Sequence, residues 1–144
     1  MRIVLPICAL TFAAVALILA ALHVYWALGG KWGIAASIPT IEGRRTINPA
    51  PLGTFAMALL LVIAAVTICG KAGLFAMGAW RAHFAVGSWC VCGVFLLRSV
   101  GNFKTFGWFK SVRGTEFAYW DTRLYSPLCL ALAALAGIVA AGRG

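Results

Sequence analysis

The stretch Phe117-Ala-Tyr-Trp-Asp121-Thr-Arg123-Leu-Tyr125-Ser-Pro127-Leu-Cys-Leu130 decides how the rest of the chain is read. It sets two charges, Asp121 and Arg123, at the threshold of an almost wholly apolar run, Leu128 to Ala141. Ser126-Pro127 is a helix-start signal: the hydroxyl can cap an orphan N–H, and proline lacks the N–H that needs no partner there. A helix from Pro127 to Gly142 would rise only about 24 Å, short of a hydrocarbon core of roughly 30 Å. Starting it at Asp121 gives a sufficient span but places Pro127 inside the first turns, at the cost of the backbone bond to the carbonyl of Arg123. The expectation is a kink or an irregular entry, and irregular backbone at membrane depth is tolerated only where protein or water covers it.

Working outward, 63% of the 144 residues are hydrophobic and 10% are charged. Soluble domains carry about 25% charged residues, so lipid is the solvent for most of this chain. The length allows one integral-membrane domain, residues 1–144, with spans of about 20 residues each, placed at roughly 4–28, 51–70, 80–100 and 121–142. The first apolar run exceeds the 7–15 residues of a signal peptide and continues into Tyr25-Trp26, which reads as a retained span. The expected fold is all-α: an antiparallel four-transmembrane-helix bundle with two long loops, 31–50 and 101–120, on one side.

That topology selects which polar residues can meet. His23, Tyr25 and Trp26 close the first span, Arg98 closes the third, and Asp121, Arg123 and Tyr125 open the fourth, all at one face. Positions three and four apart share a helix side, so Asp121 and Tyr125 point together while Arg123 points away. Asp121 then needs a partner from another helix, and Arg98 is the best placed. Glu42, Glu116 and Asp121 are the only acids. They cannot neutralise Arg44, Arg45, Arg98, Lys104, Lys110, Arg113 and Arg123, so this face carries surplus positive charge.

The net charge of +9 points to anionic lipid headgroups rather than nucleic acid. The bases cluster on the long-loop side, with Arg2, Lys71, Arg81 and Arg143 opposite, which favours long loops in the cytoplasm. The aromatic and basic segment 103–120 reads as an interfacial segment lying in the headgroups.

Several chemistries are disfavoured. His23 and His83 belong to opposite membrane faces, so they cannot share one haem or metal within a subunit. Cys90-Val-Cys92 points its thiols about 200° apart on a helix. The other cysteines, Cys8, Cys69 and Cys129, lie in apolar runs, where thiols act as small hydrophobes. No spacing makes a zinc site, and no glycine-rich phosphate motif appears. No metal or cofactor is expected. Ala133, Gly137 and Ala141 form a small-residue ladder that permits close helix approach. The leading expectation is a non-catalytic accessory subunit, or a binder of an anionic lipid or small anion at the His23/Arg98/Asp121 face, with partner membrane subunits or a homo-oligomer as candidate assemblies. A small proton- or ion-coupled transporter using Asp121 is the alternative, and a membrane enzyme or thiol redox protein the third.

Trp26-Ala-Leu-Gly-Gly after His23, Trp32-Gly33, the Arg98 span end and above all Asp121…Tyr125-Ser-Pro-Leu-Cys-Leu130 resemble a family of small four-helix bacterial inner-membrane proteins, domain-of-unknown-function family 3995. The resemblance implies four spans and a bacterial inner (cytoplasmic) membrane location. It implies no activity.

Overall fold

The computed structural model describes residues 3–41, 44–46, 48–75 and 80–142. Arg2, Glu42 and Arg143, which enter the charge balance, lie outside the described residues. In hydrocarbon every backbone N–H and C=O must be bonded within its own segment, so apolar runs become helices. Helix α1 covers Val4–Ala27, α2 is the short Ile34–Ser37, α3 covers Pro51–Lys71 and α4 covers Arg81–Val100. The last helix is composite. It comprises α5, Glu116–Trp120, a π-helical turn, Asp121–Tyr125, and α6, Ser126–Ala141, which together form one apolar helix, Glu116–Ala141. Four helices are thus long and apolar enough to cross a membrane, and the chain is a multi-pass membrane protein.

The helices pack through small residues. Ala9, Ala13, Ala16 and Ala20 form one buried stripe of α1, and Ala58, Leu61, Ala65 and Ile68 form the matching stripe of α3. Among the described residues these two helices make the most extensive contact in the fold, and α4 on α6 the next. Lipid tails are as apolar as leucine, so close backbone approach, rather than expulsion from water, favours such pairs. Phe12 of α1 meets Phe95 of α4 edge-on, with ring centroids 5.6 Å apart. The buried stripe of α6 is Leu132, Ala133, Ala136, Val139 and Ala140. Of the ladder expected from the sequence, Ala133 lies in this stripe, Gly137 faces the Cys92 sulfur of α4, and Ala141 is exposed.

Two sequence expectations change in detail. The loop 31–50 holds α2 and a two-residue antiparallel pair, β1 (Thr40–Ile41) with β2 (Arg44–Arg45). The break expected at Pro127 takes the form of a π-helical turn, Asp121–Tyr125, within a longer helix. The helix begins earlier, at Glu116, where the Thr115 hydroxyl accepts from the Ala118 N–H at 3.1 Å. A π turn then precedes the proline, with the Ser126 N–H bonded to the Asp121 carbonyl. Widening the turn accommodates a residue that cannot donate.

Between α4 and α5 the chain closes a compact knot. The Asn102 side-chain oxygen accepts from the N–H groups of Lys104, Thr105 and Phe106 at 2.8–3.1 Å. Gly101 (φ +94°) and Gly107 (φ +90°) occupy the left-handed region at the crossing of the two strands of this knot. A Cβ on Gly101 would meet the Phe106 carbonyl oxygen, and one on Gly107 would meet the Gly101 backbone. Gly101→Ala and Gly107→Ala are each expected to destabilise the protein by at least about 2 kcal/mol, from left-handed strain plus overpacking. Gly93→Ala, where a Cβ meets nothing within 4 Å, is expected to melt like the wild type. Thermal unfolding in mild detergent checks all three.

Candidate functional site

Asp121 is the first residue of the π turn and is fully buried. Its carboxylate is gripped from two elements. Oδ1 accepts from Arg98 Nη2 at the end of α4, at 2.9 Å. Oδ2 accepts from Lys110 Nζ at 2.9 Å and from the Gly107 N–H at 2.7 Å. A buried charge without partners costs several kcal/mol; here each oxygen has a charged partner and the second also has a backbone donor.

The two cations are held differently. Lys110 has three N–H donors, and all are used: on Asp121, on the Gly107 carbonyl at 3.0 Å and on the Thr122 hydroxyl at 2.7 Å. Thr122 passes its own hydrogen to the Ala118 carbonyl at 3.0 Å. Arg98 meets the carboxylate through one nitrogen and lies over the Phe106 ring, 4.7 Å from its centroid. The Lys110 side chain is 2% exposed and that of Arg98 is 31% exposed, so Lys110 is the more deeply committed partner.

Lys110 is the residue that sequence reasoning misplaced. It stood among the surplus interfacial bases, whereas it is turned inward as the second cation on Asp121. No spacing rule links positions 110 and 121, because the knot between them is irregular. The Gly107 donor is likewise invisible in sequence, although a glycine beside an aromatic cluster is the sort of signal that marks close backbone approach.

The other expected site residues divide into separate groups. His23 bonds the Leu19 carbonyl through Nδ1 at 2.7 Å and meets Trp26 edge-on. Trp26 Nε1 donates to the Trp32 carbonyl, and Tyr25 accepts from the Trp32 N–H. These bonds tie the end of α1 to the following loop and do not reach Asp121. Tyr125 does not point with Asp121, because the π turn alters the helical spacing. Its hydroxyl donates to the Ala36 carbonyl of α2 at 3.3 Å, and its ring packs on Phe117. Arg123 points away from Asp121 and is exposed, with its guanidinium 3.9 Å over the Tyr119 ring. The residues brought together around the Asp121 carboxylate are therefore Arg98, Lys110, Thr122 and Gly107. Among the described residues, no group of three or more His, Cys, Asp or Glu side chains could hold a metal ion.

This geometry ranks substitutions. Asp121→Ala leaves two cations facing each other and is expected to be the worst, at about 3–5 kcal/mol for a broken buried pair. Lys110→Met should follow, and Arg98→Ala should be the mildest of the three. Arg98→Ala combined with Asp121→Ala still strands Lys110, so recovery should require Lys110→Met as well. Folded yield and melting temperature in mild detergent read the order, and recovery by the Arg98/Asp121 double variant alone would show that Lys110 contributes nothing.

Residues 16–136 match the family model described as "Protein of unknown function (DUF3995)". No curated protein and no solved structure matches the chain. The match runs from within α1 to within α6 and takes in every residue of the Asp121 clasp, and the chain belongs to the DUF3995 family.

Proposed function

We propose that this protein is a non-catalytic membrane module that binds anionic lipid at one face, as an accessory element of the bacterial inner membrane. Its four helices form an antiparallel bundle with both long loops on that face, in the cytoplasm. The observation that carries the reading is the charge balance around Asp121. The buried Lys110 and the partly exposed Arg98 meet one carboxylate, while Lys104, Arg113 and Arg123 remain exposed nearby in sequence with Phe103, Trp108, Phe109, Tyr119 and Trp120. Bases and amphipathic rings at a span end are what a negatively charged headgroup layer attracts. The topology is supported by contacts between span ends. Arg98, ending α4, meets Asp121, near the start of the last helix, and Lys71, ending α3, donates to the Gly142 carbonyl just past α6 at 2.6 Å. The Tyr125 bond to Ala36 brings the first loop to the start of the last helix.

The transporter reading asks Asp121 to exchange protons or ions. A carboxylate with no exposed surface and three donors on it is instead suited to staying charged and still. An enzyme would need a nucleophile paired with a base, and the described hydrogen bonds contain no such pair outside the clasp.

Two measurements test this. Single cysteines at Ser37, Ala72 and Ser111, the last exposed in the second loop, should label so that Ser37 and Ser111 react from one side of the membrane and Ala72 from the other; any other pattern removes the topology. Vesicle-reconstituted protein, gently solubilised, should keep anionic phospholipid in native mass spectrometry in preference to zwitterionic phospholipid. Equal retention of the two removes the anionic-lipid reading, and a constant partner protein in place of lipid would favour a pure subunit role.

A further inference from the structure

The carboxylate of Asp121 holds the chain at Gly107 and again at Lys110. The two residues between these anchors, Trp108 and Phe109, are forced outward, and both are exposed. A third tie fixes their direction, the Trp108 N–H donating to the Ser99 carbonyl at 2.9 Å. The pair thus projects at the end of α4, and it forms one wall of an open groove of about 390 Å3. The remaining walls are Leu96, Ser99 and Val100 of α4 and Leu130 of α6. Ser99, the one hydroxyl among these six, spends it on the Ser126 carbonyl at 3.0 Å, and beyond the Trp108 indole N–H the lining side chains are apolar.

We infer that this groove seats one acyl chain of an anionic phospholipid whose headgroup lies against Lys104; the inference rests on the lipid-binding reading and gives it a place. The groove runs about 6 Å along α4, from Val100 to Leu96, by helix rise, from the span end into the hydrocarbon. It opens between Leu96 and Leu130, each 45% exposed, on the surface of the spans rather than toward the bundle interior. Charge complementarity selects the headgroup. Lys104 is exposed, and it adjoins Phe103, whose ring centroid lies 6.2 Å from that of Phe109 in the groove wall. Arg113, also exposed, closes the same knot, with the Val112 N–H bonded to the Lys104 carbonyl at 3.0 Å. Lys110 is excluded from this role because its three donors are already used inside.

The test reconstitutes the full chain in vesicles of equal phosphatidylglycerol and phosphatidylcholine and reads retained lipid by native mass spectrometry. The wild type is expected to hold one phosphatidylglycerol per chain. Leu130→Trp, which fills the groove from an exposed position, is expected to lose that adduct while melting like the wild type. Trp108→Ala, which removes a wall, is expected to lose it as well and serves if the first variant misfolds. Lys104→Gln is expected to retain one lipid with its preference for phosphatidylglycerol reduced several-fold. Retention by both groove variants at the wild-type level overturns the acyl seat while leaving anionic-lipid binding intact. A wild-type chain that sheds all lipid overturns both, and a stable dimer whose interface is broken by Leu130→Trp assigns the groove to a second copy and overturns the inference.

Discussion

A carboxylate withdrawn from water and lipid alike must find all its partners in protein, and in this chain that requirement falls on Asp121. Its solution draws on three parts of the sequence: the end of α4, an irregular knot and the start of the last membrane helix. The carboxylate therefore acts as a clasp. It joins two helices directly through Arg98 and fixes the connection between them through Gly107 and Lys110. The knot has little regular backbone pairing of its own, so its shape depends on these bonds, on the Asn102 turn and on two glycines that let strands cross at contact distance.

The π turn belongs to the same construction. Pro127 cannot donate to the turn before it, and a wider turn absorbs that loss without ending the helix. Widening also sets the directions of the side chains around it. Asp121 turns toward α4 and the knot, Arg123 lies out over Tyr119, and Tyr125 reaches the first loop. One backbone irregularity thus assigns three polar side chains to three different neighbours.

The rest of the bundle follows the rules of an apolar solvent. Large side chains such as Leu60, Val94 and Leu97 face outward, while alanines fill the seams. In α4 the only fully buried residues are Ser88 and Ser99, each with its hydroxyl on a backbone carbonyl. That inversion, with polar side chains inside and leucines outside, leaves the outer surface to lipid and makes any fixed groove at a span end a natural place for an acyl chain.

Composition and run length were enough to read four membrane-crossing helices, because 20-residue apolar runs have one stable backbone conformation in hydrocarbon. The isolation of Asp121 among acids, and the position of Arg98 at a span end, were also legible, since helix periodicity and chain direction limit who can meet whom. The sequence could not disclose Lys110 as a partner or Gly107 as a donor, nor the outward set of Trp108 and Phe109. Those depend on how residues 101–115 cross themselves, and an irregular path has no period from which neighbours can be counted. The π turn was hidden for a related reason. Pro127 announces that a bond is missing, but whether the helix kinks, starts late or widens is decided by what packs against it, here the buried carboxylate and the two cations that hold it.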